Sequence, residues 1–330
     1  MFNGVRRVAL AACMVLLTPL SSAASTQINF ATAYAADSFQ TENLQRYADE
    51  VARVTAGKVN IKLHPAGTLL KPTEIYSGVR SGKTEGGEVI MSSLAKEHPL
   101  FGMDALPFIV AGYDDARRLW TISRPGIEKV LTEHGLQLLY AVPWPPQNLY
   151  SNREVKSMQD FKGMRMRVYN SASERIAQLI GARPITIQAV DLGKALDEEK
   201  FDMMLTSSWT GVDMKAWSKL KYYYQVNAWL PKNMVFISKT VFNRLDADTQ
   251  QKLLLAARTA EQRGWMLSES TDRTYEDVIR AHGMRVDKID PLIRSALDRL
   301  GETFTTEWLR QSAQDEWTLL MKYSNGRPGK

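Results

Sequence analysis

The sequence predicts an α/β protein of two lobes, each a mainly parallel sheet flanked by helices, and three observations carry that reading. Short period-two apolar segments alternate along the chain with longer segments of helical periodicity. A proline-stiffened stretch, Val142-Pro-Trp-Pro-Pro-Gln147, separates a first series of such units from a second. Residues 247–282 form one helical pattern, longer than a single lobe needs and long enough to bridge two. With 330 residues, 44% hydrophobic and 24% charged, the chain is long enough to bury two cores.

The first element reads as an export signal. Arg6 and Arg7 form a basic start, 8–20 is mostly apolar but short for a membrane span, and Ser21-Ser-Ala-Ala24 offers small residues for cleavage near Ala24. A periplasmic location follows. Cys13, the only cysteine, lies inside this segment, so no disulfide is expected in the mature chain. Leu10-Ala-Ala-Cys13 also fits a lipoprotein box, but the apolar run before it is very short.

The mature chain then alternates. Strand 28–32 precedes a helix over 38–55, stopped by Gly57, and strand 58–63 leads to a helix over 72–80 and a strand over 87–92. Two strand-helix-strand units in succession imply a parallel sheet. A buried connection at 104–110, a helix over 114–132 and a strand over 136–141 lead to the prolines. Beyond them come strand 165–168, helix 171–180, strand 184–188, helix 191–197 and strand 201–206.

Several functions are excluded or unsupported. The net charge of +6 is interspersed, with no basic tract, so no nucleic-acid partner is expected. His64, His98, His134 and His282 lie far apart without metal-ligand spacing, so neither a metal nor another cofactor is implied. No G-x-S-x-G elbow occurs, and Gly78 to Thr84 is one residue short of a phosphate loop and follows a helix. An enzyme is therefore not expected.

The informative stretch is 161–185. Met164, Met166 and Val168 alternate with Arg165 and Arg167, and Asn170 with Ser171-Ala-Ser-Glu174 reads as a capping box opening a helix. A strand that ends in arginine at a helix N-terminus puts a guanidinium fork beside unpaired backbone N–H groups. Ligands of open α/β sheets gather at such strand ends, so Arg167 marks an anion site.

The run Asp160-Phe-Lys-Gly-Met-Arg-Met-Arg167-Val168 with Asn170, Leu106-Pro-Phe108 after Gly-Met-Asp104, and Ser151-Asn152 resemble the DctP-type solute-binding proteins of TRAP transporters. The resemblance spans the mature chain from Phe30 to the C-terminal helices. It implies a two-lobed periplasmic binding protein fold with a hinge and one long helix spanning both lobes. The expected lobes are 25–144 with about 233–272, and 145–232 with about 273–330, the ligand cleft lying between them. The arginine matching Arg167 would clamp a substrate carboxylate, and the partner would be the membrane permease of a two-part, sodium-driven importer. A monomer is expected.

Two departures shape the expected ligand. Relatives that bind sialic acid or ectoine carry a second arginine where this chain has Gln147, and the common Asp-Gly is here Asp202-Met203. One cation fewer, with Trp144 and Trp209 beside the cleft, favours a single carboxylate on a flat or apolar body, an aromatic or apolar monocarboxylate. A dicarboxylate or sugar acid is the alternative, and a sensor subunit or a periplasmic enzyme are rival roles. Further ligand-binding candidates are Tyr34 and Ser92 at strand ends of the first lobe, and Tyr169, Asn170, Thr206 and Ser207 in the second. Trp120, Trp265, Trp308 and Trp317 are expected in the core.

Overall fold

The computed structural model describes residues 25–326, so the export signal, its cleavage site and Cys13 lie outside the described residues. The chain runs through β1 (Thr26–Thr32), α1 (Phe39–Val54), β2 (Val59–His64), α2 (Ile75–Arg80), β3 (Gly86–Ile90), α3 (Tyr113–Glu133) and β4 (Leu136–Pro143). It then crosses to β5 (Asn148–Ser151), β6 (Arg165–Val168), α4 (Ser171–Leu179), β7 (Arg183–Thr186), α5 (Leu192–Asp197), β8 (Met203–Thr206), α6 (Ser208–Asp213) and β9 (Tyr222–Gln225). It returns as β10 (Lys232–Ser238), followed by α7 (Lys239–Arg244), α8 (Ala247–Ala281), β11 (Arg285–Lys288), α9 (Pro291–Gln311) and α10 (Gln314–Asn325).

Two sheets result, ordered β2-β1-β3-β10-β4 and β11-β9-β5-β8-β6-β7. Both are parallel except for one strand. In the first sheet β10 runs antiparallel to β3 and β4, and in the second β5 runs antiparallel to β8 and β9. These odd strands are the two that the chain enters through its extended crossings, whereas β11, entered through α8, runs parallel to β9. One antiparallel strand per sheet fits the mainly parallel expectation, and nothing in the apolar patterns of β5 and β10 distinguishes them from their parallel neighbours.

The two crossings lie side by side. Trp144 N–H donates to Pro231 O at 2.8 Å, Gln147 N–H to Trp229 O at 2.9 Å, and Ala228 N–H to Gln147 O at 2.9 Å. Asn148 Oδ1 receives the N–H groups of Val226 and Asn227, both at 2.9 Å. Backbone groups of this irregular chain are thus paired with one another, as their burial demands. Lys232 opens β10 beside this hinge, buried against Asp104, whose Oδ2 accepts the Lys232 N–H at 2.7 Å and faces the ammonium at 3.6 Å.

The 35-residue helix α8 joins both lobes. Glu261 accepts from Trp120 Nε1, Arg124 and the Ala141 N–H of the first lobe, at 3.1, 2.8 and 3.0 Å. A turn or more later, Asp272 accepts from Ser208 Oγ at 2.8 Å and Glu276 from Tyr223 OH at 2.9 Å, both in the second lobe. α9 sits on α4 through Arg175, which pairs with Glu307 at 2.8 and 2.5 Å. The chain does not end on the second lobe as expected, however. Leu320 and Tyr323 of α10 pack into the first lobe's core beside α3, and Tyr323 OH donates to Ile109 O at 2.6 Å. Trp317, expected in the core, is 44% exposed, because it lies on the outer face of this last helix. Among the described residues no helix is long and apolar enough to cross a membrane.

Candidate functional site

A cavity of about 810 Å³ opens between the lobes. Strand ends build it: β1 supplies Ala33 and Tyr34, β3 Val89 and Ile90, β6 Arg167 to Tyr169, and β8 Thr206 and Ser207. The hinge contributes Trp144 and Gln147, and α6 contributes Trp209.

Arg167 sits on an interior strand, between β8 and β7, and is 4% exposed. Its Nε donates to Ile187 O at 3.0 Å, and its guanidinium lies 4.4 Å from the Tyr169 ring centroid. Among the described residues it forms no ion pair, and its terminal nitrogens donate to no protein group. Burial pushes its pKa down to about 10. A buried cation without a counter-ion is costly, and an anion able to pair with the free face of the fork would remove that cost.

Apart from Ser92, the other predicted residues fall into three groups. Trp144, Trp209 and Tyr34 form an aromatic wall with Phe39, the Trp144 ring lying 4.9 Å from Tyr34, 5.1 Å from Phe39 and 5.5 Å from Trp209. Tyr169 and Gln147 line the cavity but are already engaged: Tyr169 OH donates to Gln147 Oε1 at 3.2 Å and accepts from Trp229 Nε1 at 3.3 Å, while Gln147 Nε2 donates to Pro145 O at 2.9 Å. Asn170, Thr206 and Ser207 lie at helix starts. Ser207 caps α6, accepting from Thr210 N–H at 3.1 Å.

Asn170 is the cap of α4, accepting from Ser173 N–H at 2.8 Å, and Ser173 Oγ accepts in return from the Asn170 N–H at 3.2 Å. The box is therefore Asn170 with Ser173, not Ser171 with Glu174, because the helix begins at Ser171 itself, one residue earlier than a Ser171 cap would need. Ser92 does not end a strand. β3 stops at Ile90, and Ser92 lies in the following 3-10 turn, Met91–Leu94, behind the cavity lining, where its hydroxyl accepts from Asn170 Nδ2 at 2.8 Å.

Sequence reasoning missed Asn233, Glu88 and Thr32. Asn233 Oδ1 accepts from both Trp144 Nε1 at 2.8 Å and Tyr34 OH at 3.2 Å, and its Nδ2 donates to Glu88 Oε1 at 3.0 Å. Asn233 and Glu88 are each 1% exposed. Polar residues inside otherwise apolar strands, Gly-Gly-Glu88-Val-Ile and Asn233-Met-Val-Phe-Ile, were the available signal.

Two hinged α/β lobes around a cavity whose buried cation lacks a counter-ion define the class of two-lobed solute-binding proteins. The chain matches the family model described as bacterial extracellular solute-binding protein, family 7 (DctP), over residues 30–311, and it belongs to that family. It is a TRAP-type solute-binding protein, a receptor and not an enzyme, and proteins of this family are periplasmic and work with a membrane permease. It is similar to DctP6, a Bordetella pertussis extracytoplasmic solute receptor binding pyroglutamic acid, at 35% identity and a TM-score of 0.89, covering 91% of this chain and 100% of that one. A marine metagenome TRAP solute binding protein specific for pyroglutamate is 34% identical, with a TM-score of 0.89 and coverage of 91% and 99%. The sialic acid-binding periplasmic protein SiaP of Vibrio cholerae is 22% identical over 283 residues, 81% of this chain and 88% of its own.

Proposed function

We propose that this protein captures a small monocarboxylate with a compact, flat ring and delivers it to a TRAP permease from the periplasm, as a monomer exported by residues 1–24. The observation that carries the reading is the Arg167 fork, buried at the strand end with its terminal nitrogens unpartnered and an aromatic wall beside it. One fork holds one carboxylate bidentately. The position of the second arginine of other relatives is Gln147, whose amide is taken up by Pro145 and Tyr169, so a second anionic group meets no cation at the floor. Among monocarboxylates, pyroglutamate is the first choice, since relatives 34 to 35% identical bind it. Benzoates keep the flat body expected from the tryptophans and are the comparison.

A thermal-shift titration of the purified protein tests this with pyroglutamate, benzoate, succinate and galacturonate. Ligand that binds the folded state raises the midpoint by mass action. Larger rises with pyroglutamate and benzoate support the reading; a rise confined to the dicarboxylate succinate or to the hydroxyl-rich sugar acid galacturonate overturns it.

A further inference from the structure

The aromatic wall is held from behind by a polar chain that decides which hydrogen bonds the cleft offers. Thr32 Oγ1 donates to Glu88 Oε2 at 2.5 Å, Asn233 Nδ2 donates to Glu88 Oε1 at 3.0 Å, and Asn233 Oδ1 receives Trp144 and Tyr34. Thr32, Glu88 and Asn233 are buried almost completely, so no water competes for these positions.

The orientation of the Asn233 amide follows from chemistry. An indole N–H only donates, so the Asn233 atom 2.8 Å from Trp144 Nε1 is the carbonyl oxygen, and the NH2 group turns to the Glu88 carboxyl. The Tyr34 hydroxyl reaches that same oxygen at 3.2 Å and must donate its single proton there. With the proton committed, the Tyr34 oxygen has only lone pairs left for the cavity it lines. Tyr169 and Gln147 are weaker substitutes on the floor, because each already bonds the other and Trp229 or Pro145.

We infer that Tyr34 is a specificity-determining residue that demands an N–H donor on the ligand ring, with Asn233 and Glu88 as positioning residues that lock its hydroxyl as an acceptor. The inference rests on the monocarboxylate reading above and narrows it to small rings carrying both a carboxylate and a ring N–H, lactams and cyclic imino acids. A ring with oxygen in place of that N–H sets one lone pair against another, and a site with a committed polar partner rejects such analogues strongly.

Calorimetric titration of the full protein with pyroglutamate and with its lactone isostere, 5-oxotetrahydrofuran-2-carboxylate, tests it. The lactam should bind about tenfold or more tightly than the lactone. Tyr34→Phe should weaken the lactam by about tenfold and leave the lactone little changed. Asn233→Ala frees the Tyr34 hydroxyl to turn and donate, so the lactam-to-lactone ratio should collapse toward one; a merely structural role would weaken both ligands together. If Asn233→Ala does not fold, Tyr34→Phe carries the test. Lactam and lactone binding equally well to the unsubstituted protein would overturn the inference and leave the monocarboxylate reading standing. Binding of benzoate with neither ring ligand would overturn it in the same way, and no binding of any carboxylate would overturn both.

Discussion

Asn170 Nδ2 donates to Ser92 Oγ at 2.8 Å and so ties the first turn of α4 in the second lobe to the turn after β3 in the first. Asn170 does this while capping its own helix, so the lobe-to-lobe bond lies one residue from Tyr169 and three from Arg167. The lips approach nearby as well: a Cβ at Gly67 of the first lobe would lie 3.9 Å from Val190 Cγ1 of the second.

Ser92→Ala removes this bond and leaves the Asn170 cap intact. A closed state favoured by one hydrogen bond of about 1 kcal/mol loses roughly fivefold in population relative to the open state. Ligand affinity should fall by about that factor in calorimetric titration, with the midpoint of the ligand-free protein nearly unchanged. An unaltered affinity would show that the bond does not contribute to closure.

Arg167→Ala should weaken carboxylate binding by about a hundredfold to several thousandfold, and Arg167→Lys should recover only part of this, since an ammonium lacks the planar fork. Arg167→Met separates binding from folding. The buried guanidinium has no counter-ion among the described residues, so its apolar replacement should keep or raise the midpoint while abolishing the ligand-induced rise. A large drop in ligand-free stability would mean that Arg167 serves the fold first.

On the spanning helix, burial pushes the Asp272 carboxyl up to about 6, where it accepts from Ser208 of α6. A carboxyl with a raised folded-state pKa holds its proton more tightly in the folded protein, so folding is favoured as pH falls from above 6 toward 4. Burial also pushes Asp104 to about 6 and raises Glu88, in the same direction, whereas His134, lowered by burial and by Arg80, opposes them. Asp272→Asn isolates one contribution and keeps the acceptor for Ser208. The variant should melt above the parent protein at pH 7.5, with a lead that shrinks by pH 5 and disappears near pH 4. An equal lead at both values would show that Asp272 does not titrate in this window.

Gly264 is where α8 presses on the end of β4, and a Cβ there would collide with the side chain of Val142, two residues before Trp144. Gly264→Ala should lower stability by about 1 to 3 kcal/mol despite its better helix propensity, read as a lower denaturation midpoint. A rise in the midpoint would show that the helix shifts freely against the sheet.

Much of the second lobe's site is legible locally. The period of 165–168, the Asn170 cap and the stop at Gly181, whose φ is +75°, together place Arg167 at a strand end beside a helix start, and all of these are interactions over a few residues. The 35-residue α8 is visible for the same reason, as one unbroken periodicity. Ser92 was misplaced because its strand ends two residues early, a boundary set by 3-10 turning and not by polarity.

The order of the strands is a different matter. That β5 and β10 run against their neighbours, and that α10 returns to the first lobe, depends on which surfaces meet after the chain has crossed between the lobes, and no local period encodes it. The sequence by itself determined most of the alternating elements up to 206, the long helix after 247, the placement of Arg167 at a strand end beside a helix start, and the family resemblance. Only tertiary structure decided that Asn233, 66 residues after Arg167, would take the Trp144 and Tyr34 hydrogen bonds, and that Ser92 would meet Asn170. Hydrogen-bond partners far apart in the chain are chosen by how the lobes pack, because burial forces each polar group to pair with whatever the fold brings within reach.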